Sequence, residues 1–131
     1  GAALCWGRNV AGQVGDGTMT RRLQPTVVAG MESGVVALSA GGASCALRSG
    51  GWCWGPNIFR GPGEGSDATS LLPAPVIGLP SDALDIRVGR DFACARTASG
   101  AAYCWGDNAQ GQLGDGSTAS RGSAAPILGL P

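Results

Sequence analysis

The side chains best able to do chemistry in this 131-residue chain are five cysteines: Cys5, Cys45, Cys53, Cys94 and Cys104. A catalytic thiolate needs a cationic neighbour such as His or Lys. The chain has no His, and Arg supplies all nine of its basic residues. That removes the Ser-His-Asp triad, the Cys-His dyad, the Schiff-base lysine and the phosphate-loop lysine. Cys-x-x-Cys knuckles, the usual mark of a structural zinc site, are also absent. Two readings remain: cross-linked pairs, or buried free thiols acting as small hydrophobes. The other candidates are Asp16, Glu64 and Asp115, each set between glycines. Calcium needs six or more oxygens, and one acid per loop does not supply them. These acids read as turn formers that hydrogen-bond local backbone, with Asn9, Asn57 and Asn108 alike. No paired carboxylates offer acid–base chemistry. The chain is therefore expected to be no enzyme and to hold no metal or cofactor.

Those residues recur at fixed offsets. Cys-Trp-Gly occurs at Cys5, Cys53 and Cys104, spaced by 48 and 51 residues. The first copy reads CWGRNVAGQVGDGT and the third CWGDNAQGQLGDGS, identical at nine of fourteen positions. The middle copy, CWGPNIFRGPGEGS, shares six with the first. A Gly follows each Cys 25 residues later, at Gly30, Gly78 and Gly129. Upstream, Val35–Gly41 aligns with Ala83–Gly89, and both alternate with the period of two that marks a strand. Cys45-Ala46-Leu47 and Cys94-Ala95-Arg96 follow, then a Ser-Gly turn and the Cys-Trp-Gly strand, which predicts a hairpin. Pro73–Gly78 reads as an edge strand, because Pro cannot donate to a ladder.

Four short strands per repeat of this length predict an all-β fold of β-propeller blades. An irregular β-solenoid is the runner-up. The units are expected at 1–34 (the second half of one repeat), 35–82 and 83–131, about two and a half blades in one partial domain. A propeller hides its strand edges by closing, so the chain reads as a fragment of a larger ring. An oligomer that completes the ring is the second reading.

The hairpins bring Cys45 opposite Cys53 and Cys94 opposite Cys104. The separations are 8 and 10, and a difference of two residues keeps the side-chain face. Opposed strand residues are close enough for an S–S bond. Cys5 is then unpaired by truncation. Paired cysteines place the chain in an oxidising compartment. Zero net charge argues against nucleic-acid binding, and the longest apolar runs, such as Val35–Leu38, are too short for membrane insertion. Partners are expected to be proteins, along with remaining blades from the same or another chain. Ile58-Phe59-Arg60 breaks the repeat toward apolar and Arg, the residue types that anchor interfaces. Single drift in a degenerate repeat is the plainer account of it. Arg22 and Arg121 share one repeat position and are expected to donate to loop carbonyls of a neighbouring blade. Trp6, Trp54 and Trp105 lie on the face opposite the cysteines, suited to packing between blades.

Cys-Trp-Gly-x-Asn, Gly-Gln-x-Gly-Asp-Gly, Val-x-Ala-Gly and Cys-Ala-Leu resemble the repeats of the regulator of chromosome condensation family. The resemblance covers almost the whole chain and is strongest to a bacterial, cysteine-bearing, secreted branch. It implies a seven-bladed propeller, and hence blades outside this chain. The family commonly has a His shortly before the first Cys of each pair; here Phe92 stands in one unit and Ala43-Ser44 in the other. Family members exchange nucleotide on a small GTPase, sense ultraviolet light through clustered Trp with Arg partners, or inhibit β-lactamases. Gly51-Trp52-Cys53-Trp54 lacks those Arg partners. The resemblance thus implies a non-catalytic protein-binding module, extracellular or in a bacterial envelope. Guanine-nucleotide exchange on a small GTPase and a structural spacer are the alternatives.

Overall fold

A computed structural model describes residues 1–56 and 69–129. Among them there are strands and no helix, and so none long and apolar enough to cross a membrane. The strands are β1 Leu4–Gly7, β2 Arg22–Val27, β3 Ala37–Ala40, β4 Ser44–Leu47, β5 Gly51–Pro56, β6 Thr69–Pro75, β7 Ala83–Val88, β8 Phe92–Thr97, β9 Ala102–Gly106 and β10 Arg121–Pro126. They form two four-stranded antiparallel meanders, β3-β4-β5-β6 and β7-β8-β9-β10, and a two-stranded ribbon, β1-β2. The architecture is that of β-propeller blades in an incomplete ring.

The same irregularity recurs in each sheet. Cys5 and Gly7 oppose Thr26 and Arg22; Cys53 and Gly55 oppose Ala74 and Ser70; Cys104 and Gly106 oppose Ala125 and Arg121. Three residues of the Cys-Trp-Gly strand thus face five of the outer strand. The motif glycine makes this possible: Gly7, Gly55 and Gly106 have φ of 101°, 96° and 108°, which L side chains rarely adopt. Pro25 and Pro73 fall inside the outer-strand bulge, where no ladder donor is required. The outer strand of the second unit therefore begins at Thr69 and ends at Pro75, earlier at both ends than the span 73–78 read from its prolines.

The core lies between sheets, because each sheet has one cysteine face and one tryptophan face. Cys45, Cys53, Leu47 and Val76 of one sheet pack against Ile86, Ala95, Trp105 and Ala124 of the next. Trp54 and Ala46 pack against Ala3, Val28 and Met31, with Cys5 at the margin. Trp54 and Trp105 are each 0% exposed, whereas Trp6 is 61% exposed. The inner strands also touch across the junction, where the Val88 amide donates to Ser39 Oγ at 3.1 Å.

Candidate functional site

Each described Gly-rich loop is organised around a buried asparagine. Asn9 Nδ2 donates to the carbonyls of Thr18 and Thr20, both at 3.0 Å, and its Oδ1 accepts from the Val14 amide at 2.9 Å. Asn108 repeats this with Ser117 and Ala119, both at 3.1 Å, and with Leu113 at 2.9 Å. Asn fits because one amide group carries both donors and an acceptor. The aspartates complete the loops. Asp16 accepts from the Thr18 amide at 3.0 Å and its hydroxyl at 2.7 Å. Asp115 accepts likewise from Ser117, at 2.9 and 2.8 Å. Arg22 pairs with Asp16 at 2.5 Å, and Arg121 with Asp115 at 2.9 Å.

These contacts set the carboxyl acidities. Burial pushes Asp16 upward, but the hydrogen bonds from Thr18 and Arg22 and the Arg22 charge outweigh it and hold the carboxyl below its ordinary value. At Asp115 the Ser117 backbone and hydroxyl bonds lead. With Asn108 and the Arg121 charge they overcome burial, again lowering the value. Both acids are occupied as loop organisers. Among the described residues no three His, Cys, Asp or Glu side chains gather where a metal could be held.

The arginine pairing corrects the blade-to-blade role read from the sequence. Arg22 and Arg121 bond within their own unit, because the bulge aims each side chain at its own loop. Arg121 also donates to the Cys104 and Ala125 carbonyls of its own sheet, at 3.2 and 3.4 Å. The arginine that does reach a neighbouring unit's carbonyls is Arg48, which donates to Ser33 at 2.8 Å and Gly30 at 2.7 Å, and at the same junction the Gln13 carbonyl accepts from Trp54 Nε1 at 2.9 Å and Ser44 Oγ at 3.0 Å. Sequence inspection missed the role of Gln13, because that contact uses its main chain. Gly15 allows the approach: a Cβ there would sit 2.6 Å from Trp54 Nε1. Trp105 Nε1 has no acceptor among the described residues, and the residue matching Gln13 in the middle unit, Gly61, falls outside them.

Cys45 lies directly opposite Cys53, and Cys94 opposite Cys104. The Cα atoms of each pair are 4.1 Å apart and the sulfurs are bonded. Cys5 is half-buried with its thiol free, and burial pushes that thiol's pKa up. Ile58, Phe59 and Arg60 lie outside the described residues, as do Asn57 and Glu64. A cleft of about 640 Å³ opens between β1 and the second unit, lined by residues including Leu4, Cys5, Trp6 and Leu38.

The blades resemble solved structures. The human WBSCR16 crystal structure matches with a TM-score of 0.81 at 24% identity, covering 100% of this chain and 36% of that one. Prp20p from Saccharomyces cerevisiae, described with its binding to Gsp1p and histones, matches at 0.79 and 19% identity, covering 97% of this chain and 34% of that one. Yeast RCC1 (Prp20) in complex with Kap60 matches at 0.74 and 15% identity, covering 98% and 34%. The chain thus spans about a third of the length of these structures. No curated protein matches its sequence. The sequence does match the Regulator of chromosome condensation (RCC1) repeat over residues 1–47 and 99–128, and a second description of that repeat over residues 84–112. With two stacked meanders and a recurring Cys-Trp-Gly bulge, the chain belongs to the regulator of chromosome condensation repeat family.

Proposed function

We propose that the chain is a protein-binding module without catalysis, working outside the cytosol in an extracellular or bacterial envelope setting. Its units are 1–34, 35–82 and 83–131, parts of a larger ring. The observation that carries the reading is the cysteine pairing, repeated in one register on two successive sheets. Such pairs persist in oxidising compartments and are kept reduced in the cytosol. Protein binding is supported by the yeast neighbour, solved with Kap60 and described as binding Gsp1p and histones. Fold alone does not select a partner. Phe59 and Arg60 in the middle loop are the contact residues we assign, since aromatic and Arg side chains dominate interface energetics.

Alkylating the denatured, unreduced protein and weighing it tests the compartment. One modified cysteine is expected. Five would overturn the oxidising setting and move the reading to an intracellular regulator of nucleotide exchange. The loop is tested by comparing proteins captured by the chain and by its Phe59→Ala/Arg60→Ala variant. A protein held by the first and lost by the second supports the assignment. Equal capture removes the loop from the site, and no capture at all favours a structural spacer.

A further inference from the structure

The first Gly-rich loop presents an arginine in a way the third unit does not repeat. Residues 19–21 lead into β2 without a turn or a bend. On either side of Met19, the Thr18 and Thr20 carbonyls are held by Asn9 Nδ2, both at 3.0 Å. Beyond Arg21, Arg22 is tied to Asp16. In extended backbone, groups two residues apart share a side and successive ones alternate. With the Thr18 and Thr20 carbonyls aimed inward, those of Met19 and Arg21 aim outward. No described residue bonds the Met19 main chain. Met19 is 57% exposed, and Thr20 and Arg21 are exposed as well. At the matching position of the third unit, Ser120 turns inward. Its hydroxyl accepts from the Asn108 amide at 3.0 Å and donates to Asp107 at 3.1 Å. The first unit has Arg8 where Asp107 stands. Two guanidinium groups repel, so Arg21 faces solvent. Thr69, at the same position in the middle unit, is exposed although another unit packs in front of its sheet. The exposure of Arg21 therefore belongs to the repeat position and not to a chain end.

We propose that residues 18–22 form an inhibitory loop for an arginine-specific serine endopeptidase, with Arg21 entering the acidic pocket beside the enzyme's serine. An acid at the base of that pocket selects an Arg side chain. The enzyme grips an extended segment through main-chain bonds, and the outward Met19 and Arg21 groups supply them. In the covalent step the serine oxygen bonds to the Arg21 carbonyl carbon and the Arg21–Arg22 C–N bond breaks. The Arg22 nitrogen leaves as an amine, taking the proton the serine gave up by way of the enzyme's histidine. In a flexible peptide that amine diffuses away and water completes hydrolysis. Here the Asn9 bonds hold the acyl side and the Asp16 pair holds Arg22. The amine stays against the ester and re-forms the bond by the reverse step. A loop already fixed in its bound shape also loses little entropy on docking. The inhibitory loop does not depend on Phe59 and Arg60 or on the compartment.

Titrating the full, oxidised chain against trypsin, read by hydrolysis of a small arginine amide, tests the loop. Inhibition is expected at micromolar chain, with slow cleavage confined at first to the Arg21–Arg22 bond. Arg21→Ala should weaken inhibition at least about 100-fold, as loss of a central anchor does. Arg21→Leu should lose trypsin and gain chymotrypsin, whose pocket is hydrophobic; a damaged fold would not exchange one enzyme for the other. Arg22→Ala releases the leaving amine and should speed cleavage after Arg21 at least about ten-fold. Chain nicked at Arg21–Arg22 should regain the bond on incubation with trypsin, seen by mass as the loss of one water. Absence of inhibition, inhibition that survives Arg21→Ala, cleavage as fast as in a peptide of residues 16–25, or no re-formation in the nicked chain would each overturn the proposal. Every variant leaves Phe59 and Arg60 in place, so failure here leaves the middle-loop reading standing.

Discussion

Asn9 and Asn108 each satisfy two carbonyls and an amide of their own loop. Replacing Asn108 by Ala should cost about 2–3 kcal/mol in urea unfolding, because its partners stay buried and unpaired. The fixed offset of these asparagines was plain in the sequence. Their role as hubs was not, since the carbonyls they bind lie nine to eleven residues away across a folded loop. Asp16 adds a pH dependence. Its folded value lies below its ordinary one, so its stabilising contribution is complete above the usual carboxylate range of about 4 and is lost as pH falls through the lowered value. Acid unfolding of Asp16→Asn should therefore be less steep below about pH 4 than that of the parent chain. A curve superimposing on the parent's would mean that the Thr18 and Arg22 contacts of Asp16 together contribute nothing.

Cys-Trp-Gly is a strand with a bulge written into it. Gly106 and Gly7 share that bulge conformation but not their surroundings. A Cβ on Gly106 would lie 2.5 Å from the Asp91 carbonyl oxygen and 2.6 Å from Phe92 Cα, whereas at Gly7 nothing lies within 4 Å. Gly106→Ala should cost about 3 kcal/mol, from backbone strain plus overpacking, and Gly7→Ala only about 1 kcal/mol, from strain alone. Equal losses in thermal denaturation would assign the effect to φ alone. The hairpins carry the second prediction at this scale. Loss of one cysteine pair should lower stability by about 2.5 kcal/mol through the closed loop it opens, measured by urea unfolding of a Cys94→Ser/Cys104→Ser chain against the parent without reductant. The spacing of Cys45 to Cys53 and of Cys94 to Cys104 made the hairpins legible. The bulge was not legible, because the outer strand's extra length shows only once its partner is placed.

Stacking of sheets decides which tryptophans stabilise the molecule. Trp54 and Trp105 fill the two described junctions, while Trp6 has the same sequence context and lies open. Trp54→Ala should cost about 3–5 kcal/mol. Trp6→Ala should change the stability of this chain by less than about 0.5 kcal/mol, as exposed substitutions do. A large loss from Trp6→Ala in chemical denaturation would mean that some other segment already covers β1.

The sequence by itself determined the repeat, its four-strand unit, the hairpins and the register of the cysteines, because these rest on local periodicity and turn chemistry. Tertiary structure decided what periodicity cannot encode. It placed the cysteine face of one sheet on the tryptophan face of the next. It turned Arg22 and Arg121 back onto their own loops. It gave identical motifs different exposures, since burial depends on which neighbour stands across the junction and not on the residue's own strand.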